Sequence, residues 1–220
     1  MMRVVRIGTW NFAGRWSDDH AALLEDTACD VWLLTEVNER TTLGGYSLHP
    51  SQTPMADRRH WAAVLSREAM SPLPDPHPAS AAVRIGTTTY VSSVLPWRSC
   101  GAKPPWIGKD HAARTESAIS ELASNLGQTQ PLVWGGDWNH ALTGPEHAGS
   151  HSGRRAVLGA LKSFGLEAPT ADLPHAIDGL LSIDHVAVPV GRRAAASRVS
   201  AERSGRRLSD HDAYVVDLDA

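Results

Sequence analysis

Pro131-Leu132-Val133-Trp134-Gly135-Gly136-Asp137-Trp138-Asn139 is the stretch on which the reading of the fold turns. Its apolar run is too short for a helix, so it reads as a buried strand that ends at Gly135-Gly136-Asp137. Downstream, a loop rich in Gly and His leads to a predicted helix from about Arg154 to Phe164, with Gly165 as its stop. Upstream, Asp110 caps an amphipathic helix that runs to Leu126 and is closed by Gly127. The same grammar recurs outward. Val4 to Trp10, Val31 to Leu34 and Trp61 to Leu65 read as strands, with a helix after Ser17-Asp18 between the first two. Ala82 to Ile85 and Thr89 to Leu95 flank Gly86-Thr87-Thr88 as a hairpin. Ile183 to Val190 and Ala213 to Leu218 close the chain as strands. Residues 71–78 and 95–109 read as Pro-containing loops. Strands interleaved with few helices predict two packed sheets flanked by helices, an α/β (α+β) sandwich.

The bulk properties fit one domain over residues 1–220, with 42% apolar and 20% charged residues. No apolar stretch approaches the roughly 18 residues of a membrane helix, and no signal peptide is read at Met1 to Trp10. Two cysteines, Cys29 and Cys100, have no metal-ligand spacing and read as small buried hydrophobes. A reducing, cytoplasmic location with no obligate protein partner is the expectation. The net charge of −3 argues against indiscriminate polyanion binding, yet residues 192–207 carry six arginines against Glu202. Such a stripe can steer a phosphate ligand, although a solvated hairpin surface is its commoner meaning.

Ligand-type residues gather just past the strand ends. Asn11 and Glu36 follow the first two strands, Asp137 and Asn139 follow Trp134, Asp184 and His185 follow Ile183, and Asp210-His211 precedes the last strand. Any one of these is more often a turn former than a ligand. Together, oxygen donors without cysteine suit a hard cation, Mg²⁺ or Mn²⁺, and supply a base and donors for phosphate ester hydrolysis.

Taken in order, Thr9-Trp10-Asn11, Thr35-Glu36, Gly135-Gly136-Asp137-Trp138-Asn139, Ile183-Asp184-His185 and Ser209-Asp210-His211 resemble the motifs of the endonuclease/exonuclease/phosphatase superfamily. His60 to Ser66 resembles the strand that follows that family's glutamate, so the likeness runs from residue 9 to 218. The resemblance implies a four-layer αββα sandwich. It implies Glu36 as principal metal ligand, with Asn11 and Asp210 near the same ion. It further implies Asp137 as the group that deprotonates the attacking water, Asn139 as a positioner of nucleophile and phosphate, and His211 as a stabiliser of the phosphoryl oxygens, kept cationic by Asp184. The chain departs from the family at Pro96-Trp97-Arg98, where a His or Tyr is common, and Arg98 is the expected substitute phosphate donor. His185, where relatives carry an aromatic, reads as a packing residue.

Other residues keep two readings. Arg154 and Arg155, beyond the Asp137 turn, are further candidates to bind substrate. Trp97 and Trp106 either stack bases or pin a Pro-rich loop to the sheet. His140, His147 and His151 lack the glutamate of a helical zinc motif, and Ser209-Asp210-His211 lacks a nucleophile elbow. The expected function is metal-dependent phosphodiester hydrolysis on DNA or RNA. The alternatives are a phosphomonoesterase, a small-molecule or lipid-headgroup phosphodiesterase, and a binding protein with a degenerate site.

Overall fold

The computed structural model describes residues 4–127, 129 and 131–219. In chain order its elements are β1 (Val4–Asn11), α1 (Asp18–Thr27), β2 (Val31–Asn38), β3 (Ser47–Pro50), β4 (Pro54–Ala56), β5 (Arg59–Ser66), β6 (Ser71–Pro72), β7 (Ser80–Ile85) and β8 (Thr88–Ser93). Then follow α2 (His111–Leu126), β9 (Leu132–Asp137), α3 (His151–Phe164), β10 (Leu166–Glu167), β11 (Asp184–Pro189), β12 (Ala194–Val199), β13 (Glu202–Arg203), β14 (Arg206–Arg207) and β15 (Ala213–Asp219).

Two sheets carry the molecule. One has the order β12-β15-β1-β2-β5-β3, with β4 also on β5, and the other has the order β10-β11-β9-β8-β7-β6. Side chains alternate across each strand, so an apolar run buried on both faces feeds two cores. In β2, Val31 and Leu33 pack between the sheets, against Val83, Val133 and Val186 of the second sheet. Trp32 and Leu34 point the other way, into a cluster with Leu23 and Leu24 of α1. In β9, Val133 joins the inter-sheet core, whereas Leu132 and Trp134 meet Ile119 and Leu122 of α2 and Val157 and Leu161 of α3. The layers are therefore α1, sheet, sheet, and the α2/α3 pair, the expected αββα sandwich.

The Gly135-Gly136 pair is a steric requirement. Strand β9 runs between β8, with which it is parallel, and β11, with which it is antiparallel. A β-carbon on Gly136, whose φ is 125°, would sit 2.1 Å from the Ser93 carbonyl oxygen, and one on Gly135 would sit 2.6 Å from that of His185. Only glycine lets the three strands close at the point where Asp137 emerges.

Several elements were not legible in the sequence. Strand β12 pairs along β15 as a sheet edge, although Ala194-Ala195-Ala196-Ser197 has weak strand propensity; the register with β15 overrides it. The short strands β3 and β4 on β5 were also missed. Helix α3 begins at His151, one turn earlier than expected, because the Ser150 hydroxyl accepts from Gly153 N at 3.1 Å and caps a segment that reads as loop. Trp106 is 4% exposed and packs edge-on against Trp61 and face-on against His77, so it pins its Pro-rich loop to the sheet. No helix among the described residues is long and apolar enough to cross a membrane.

Candidate active site

The carboxyl end of β1, Glu36 near the end of β2, the end of β9, the start of β11 and the loop before β15 bring their polar residues to one place. Asn11 is the hinge of the group. Its Nδ2 donates to Asp137 Oδ2 at 2.9 Å and to Glu36 Oε1 at 3.3 Å, and its Oδ1 accepts from Ala13 N. Asp137 Oδ1 accepts from Asn139 N at 3.0 Å, and the Asn139 side chain donates to the Leu95 carbonyl at 3.0 Å. His211 Nδ1 lies 2.7 Å from Asp184 Oδ2. One side-chain ligand atom from each of Asp137, Asp184 and His211 lies within 4.8 Å of the others.

Backbone strain accompanies this convergence. Glu36 and Asn139 adopt φ values of 48° and 53°, in the left-handed region that a β-carbon disfavours. Conformations of this sort cost of order 1 kcal/mol each and concentrate at functional sites.

The electrostatics are uneven. Burial, reinforced by the Asp184 and Glu36 carboxylates, pushes Asp137 up to about 7, against the opposing pull of His211 and the Asn11 hydrogen bond. For His211, burial disfavours the cation, but Asp184 and Asp137 outweigh it and raise the imidazole to about 10. One carboxyl thus titrates near neutrality beside an imidazolium. Asp184 is fully buried and its Oδ1 has no hydrogen-bond partner among the described residues. A buried, unpaired carboxylate oxygen costs free energy unless a water or an ion meets it.

His211 is fixed by its loop. Its N–H donates to Ser209 Oγ at 3.2 Å, the Ser209 hydroxyl donates to the Asn11 carbonyl at 2.7 Å, and Trp10 Nε1 donates to the His211 carbonyl at 3.0 Å. Beneath the loop is Asp212, which the sequence reading passed over. Its Oδ1 accepts from Ala201 N at 2.9 Å and from Arg207 Nη2 at 2.8 Å, and its Oδ2 lies 3.6 Å from Arg198 Nε. Arg207 also donates to the Ser209 carbonyl at 3.0 Å. Two arginines of the basic stripe, Arg198 and Arg207, are therefore braces of the loop that carries His211, while Arg203 and Arg206 pair with Asp26 and Asp19. A lone Asp in Ser-Asp-His-Asp carries no signal for this in one sequence. Asp212→Ala strands a backbone N–H and two part-exposed arginines, and is expected to lower stability by about 2 kcal/mol. Urea denaturation measures this, and an unchanged midpoint would remove the brace.

The structure thus gathers Asn11, Glu36, Asp137, Asn139, Asp184 and His211. Asp210 stands at the rim, exposed, within 3.4 Å of the Ser209 hydroxyl and outside the tight group. The expected substrate arginines each make bonds outside this group. Arg98 Nε donates to the Gly149 carbonyl at 2.9 Å; Arg154 is bound to Glu146 and the Gly144 carbonyl; and Arg155 donates to Ser152. None of these bonds reaches the six-residue group. His185 is a satisfied core residue, 2.9 Å from the His140 carbonyl through Nε2 and lowered to about 4, first by burial.

No protein-family model and no curated protein matches this sequence. Solved structures do match in shape. An AP endonuclease from Archaeoglobus fulgidus superposes with a TM-score of 0.74 at 15% identity, over 98% of this chain and 100% of that one. The 3'-5' exonuclease NExo from Neisseria meningitidis gives 0.67 at 18% identity, with 98% and 100% covered. An endonuclease/exonuclease/phosphatase from Beutenbergia cavernae gives 0.68 at 16%, with 99% of this chain and 72% of that chain covered. Identity this low speaks to architecture, and on it the chain has the endonuclease/exonuclease/phosphatase fold.

Proposed function

We propose that this protein is a divalent-metal-dependent phosphoesterase that hydrolyses phosphodiester bonds of nucleic acid by in-line attack of water. The observation that carries the reading is the convergence of Asn11, Glu36, Asp137, Asn139, Asp184 and His211 at the strand ends, with Asn11 bonded to both Glu36 and Asp137 and His211 Nδ1 2.7 Å from Asp184 Oδ2. The named activities of the Archaeoglobus and Neisseria proteins support nucleic acid as the substrate class.

The residues present fit a hard cation. Glu36, Asp137 and Asp184 crowd negative charge together, Asp184 Oδ1 lacks a partner, and oxygen dominates the donor set. Glu36 and Asn11 would hold Mg²⁺ or Mn²⁺, with Asp210 at the rim; when bound, the ion supplies positive charge against the developing charge on the phosphate.

The chain's own groups do the rest. Asp137, held by Asn11 and by Asn139 N, is oriented to take a proton from water, and a carboxyl that titrates near 7 is poised for that task. His211, charged through Asp184, offers its Nε2–H to the phosphoryl oxygens, where charge grows in the transition state. Asn139 limits the freedom of nucleophile and phosphate.

Purified protein incubated with plasmid, oligonucleotide and phosphomonoester substrates, with Mg²⁺ or Mn²⁺ and again with EDTA, tests the assignment. EDTA-sensitive cleavage of the diesters in preference to the monoester is expected. Cleavage of the monoester alone moves the chain to the phosphatases, and inactivity on all three leaves a binding protein.

A further inference from the structure

A second imidazole stands beside His211 with no role assigned above. His175 lies in the loop 174–181, between β10 and β11, and its ring centroid is 6.2 Å from that of His211, edge to face. Its Nδ1 accepts from Ile177 N at 3.0 Å. A ring nitrogen that accepts a backbone N–H has no proton of its own, so the imidazole is neutral and carries its hydrogen on Nε2. Burial lowers the pKa of the ring, only partly offset by the Asp184 carboxylate, and the neighbouring His211 and His147 lower it further. Nε2 has no protein partner among the described residues, yet it is not among the atoms sealed from solvent.

The loop that presents this ring is held on several sides. Arg198 Nη1 donates to the His175 carbonyl at 2.7 Å, and the Tyr214 hydroxyl donates to the Pro174 carbonyl at 3.0 Å. His175 N donates to the Leu180 carbonyl at 2.9 Å, and Pro174 and Leu181 form a β-bridge. His147 packs edge-on behind the ring at 5.4 Å. The fold thus fixes the ring beside His211, and Nε2 has no hydrogen-bond partner among the described residues.

We propose that His175 is a substrate-contacting residue, whose Nε2–H donates to a phosphoryl oxygen of the ester lying against His211. This rests on the phosphoesterase reading. A neutral donor adds no charge to the site, and neutral imidazole is far too weak an acid to give up its proton. Its hydrogen bond is of similar strength to substrate and transition state, and such uniform binding shows in KM rather than kcat.

The test uses the whole protein with bis(p-nitrophenyl) phosphate and Mn²⁺. His175→Ala is expected to raise KM about ten-fold, with kcat within about three-fold, as loss of one neutral hydrogen bond implies. His175→Gln, whose amide N–H reaches about as far as Nε2, should restore most of the loss. A structural role would instead lower kcat and thermal midpoint together, without rescue by Gln, and that result overturns the proposal. Independently of turnover, inorganic phosphate titrated into wild-type protein with ¹⁵N-labelled histidine should shift the His175 Nε2 resonance saturably. A resonance that stays in place at saturating phosphate also overturns it. If the wild type hydrolyses no ester, the functional reading fails, and the phosphate titration still decides His175.

Discussion

Asp137→Asn is expected to lower kcat/KM on a phosphodiester by roughly 10²–10⁴-fold, the range for losing a positioned general base, while making the folded protein more stable above pH 7. The amide keeps the size of the side chain and can still accept from Asn11 or Asn139, so geometry survives while basicity is lost. Stability rises because the native site disfavours the ionised acid, whose pKa goes from 3.8 to about 7 on burial near Asp184 and Glu36. The folded state therefore gains from the protonated form. That gain is complete below pH 4, is lost as pH rises through about 7, and is absent beyond it. The Asn variant escapes the loss, so its advantage grows from pH 4 to 7 and then levels off, at about 1–3 kcal/mol. His211 has the same sign: raised to about 10, its contribution is present below 6.5 and lost as pH rises through 10. Wild-type activity accordingly rises as Asp137 ionises and falls as His211 deprotonates, a bell whose rising limb the cation pulls below 7. Thermal melts and pH-rate profiles of the two proteins check every part. An Asn variant that is both active and destabilised would make Asp137 a structural residue.

Gly136→Ala is expected to cost upwards of about 3 kcal/mol, combining overpacking with a forbidden backbone. The added β-carbon meets Ser93 through backbone atoms, its carbonyl oxygen at 2.1 Å and its N at 2.8 Å, and a backbone hydrogen-bonded on both sides has nowhere to go. The φ of 125° is one that alanine does not share. To admit the methyl, β8 and β9 must part where Leu95 N donates to the Asp137 carbonyl at 3.0 Å. Activity and stability should fall together, which separates this variant from Asp137→Asn. Gly159→Ala, in helix α3 with open space at its β-carbon, is the control and should be neutral or stabilising. Equal melting midpoints for Gly136→Ala and wild type would refute the steric account of the Gly-Gly pair.

The contrast between these glycines shows what the sequence carried and what it did not. Strands buried on both faces were legible because Val31 to Leu34 and Leu132 to Trp134 are apolar without interruption, and each ended in a residue of ligand type. Asn11, Glu36, Asp137, Asn139, Asp184 and His211 stood out before any geometry because their order along the chain resembles one family's motifs, and the fold brings the six together. The arginines could not be placed in the same way. A guanidinium reads alike whether it faces substrate or a buried carboxylate, and Arg154 found Glu146 while Arg198 and Arg207 found Asp212. Strand β12 was hidden because its pairing comes from β15 and not from its own residues. His175 was invisible because its meaning lies in a 6.2 Å approach to a ring 36 positions along the chain.

The claim beneath all of this is that Glu36 helps gather one hard cation to the group around Asp137 and His211. Initial rates on bis(p-nitrophenyl) phosphate, measured over a series of Mn²⁺ concentrations for wild type and Glu36→Gln, test it most directly. The wild type should be silent in EDTA and activated saturably by Mn²⁺, and the variant should need at least about ten-fold more metal for half-activation. Rates indifferent to Mn²⁺, or identical activation curves for the two proteins, would contradict it.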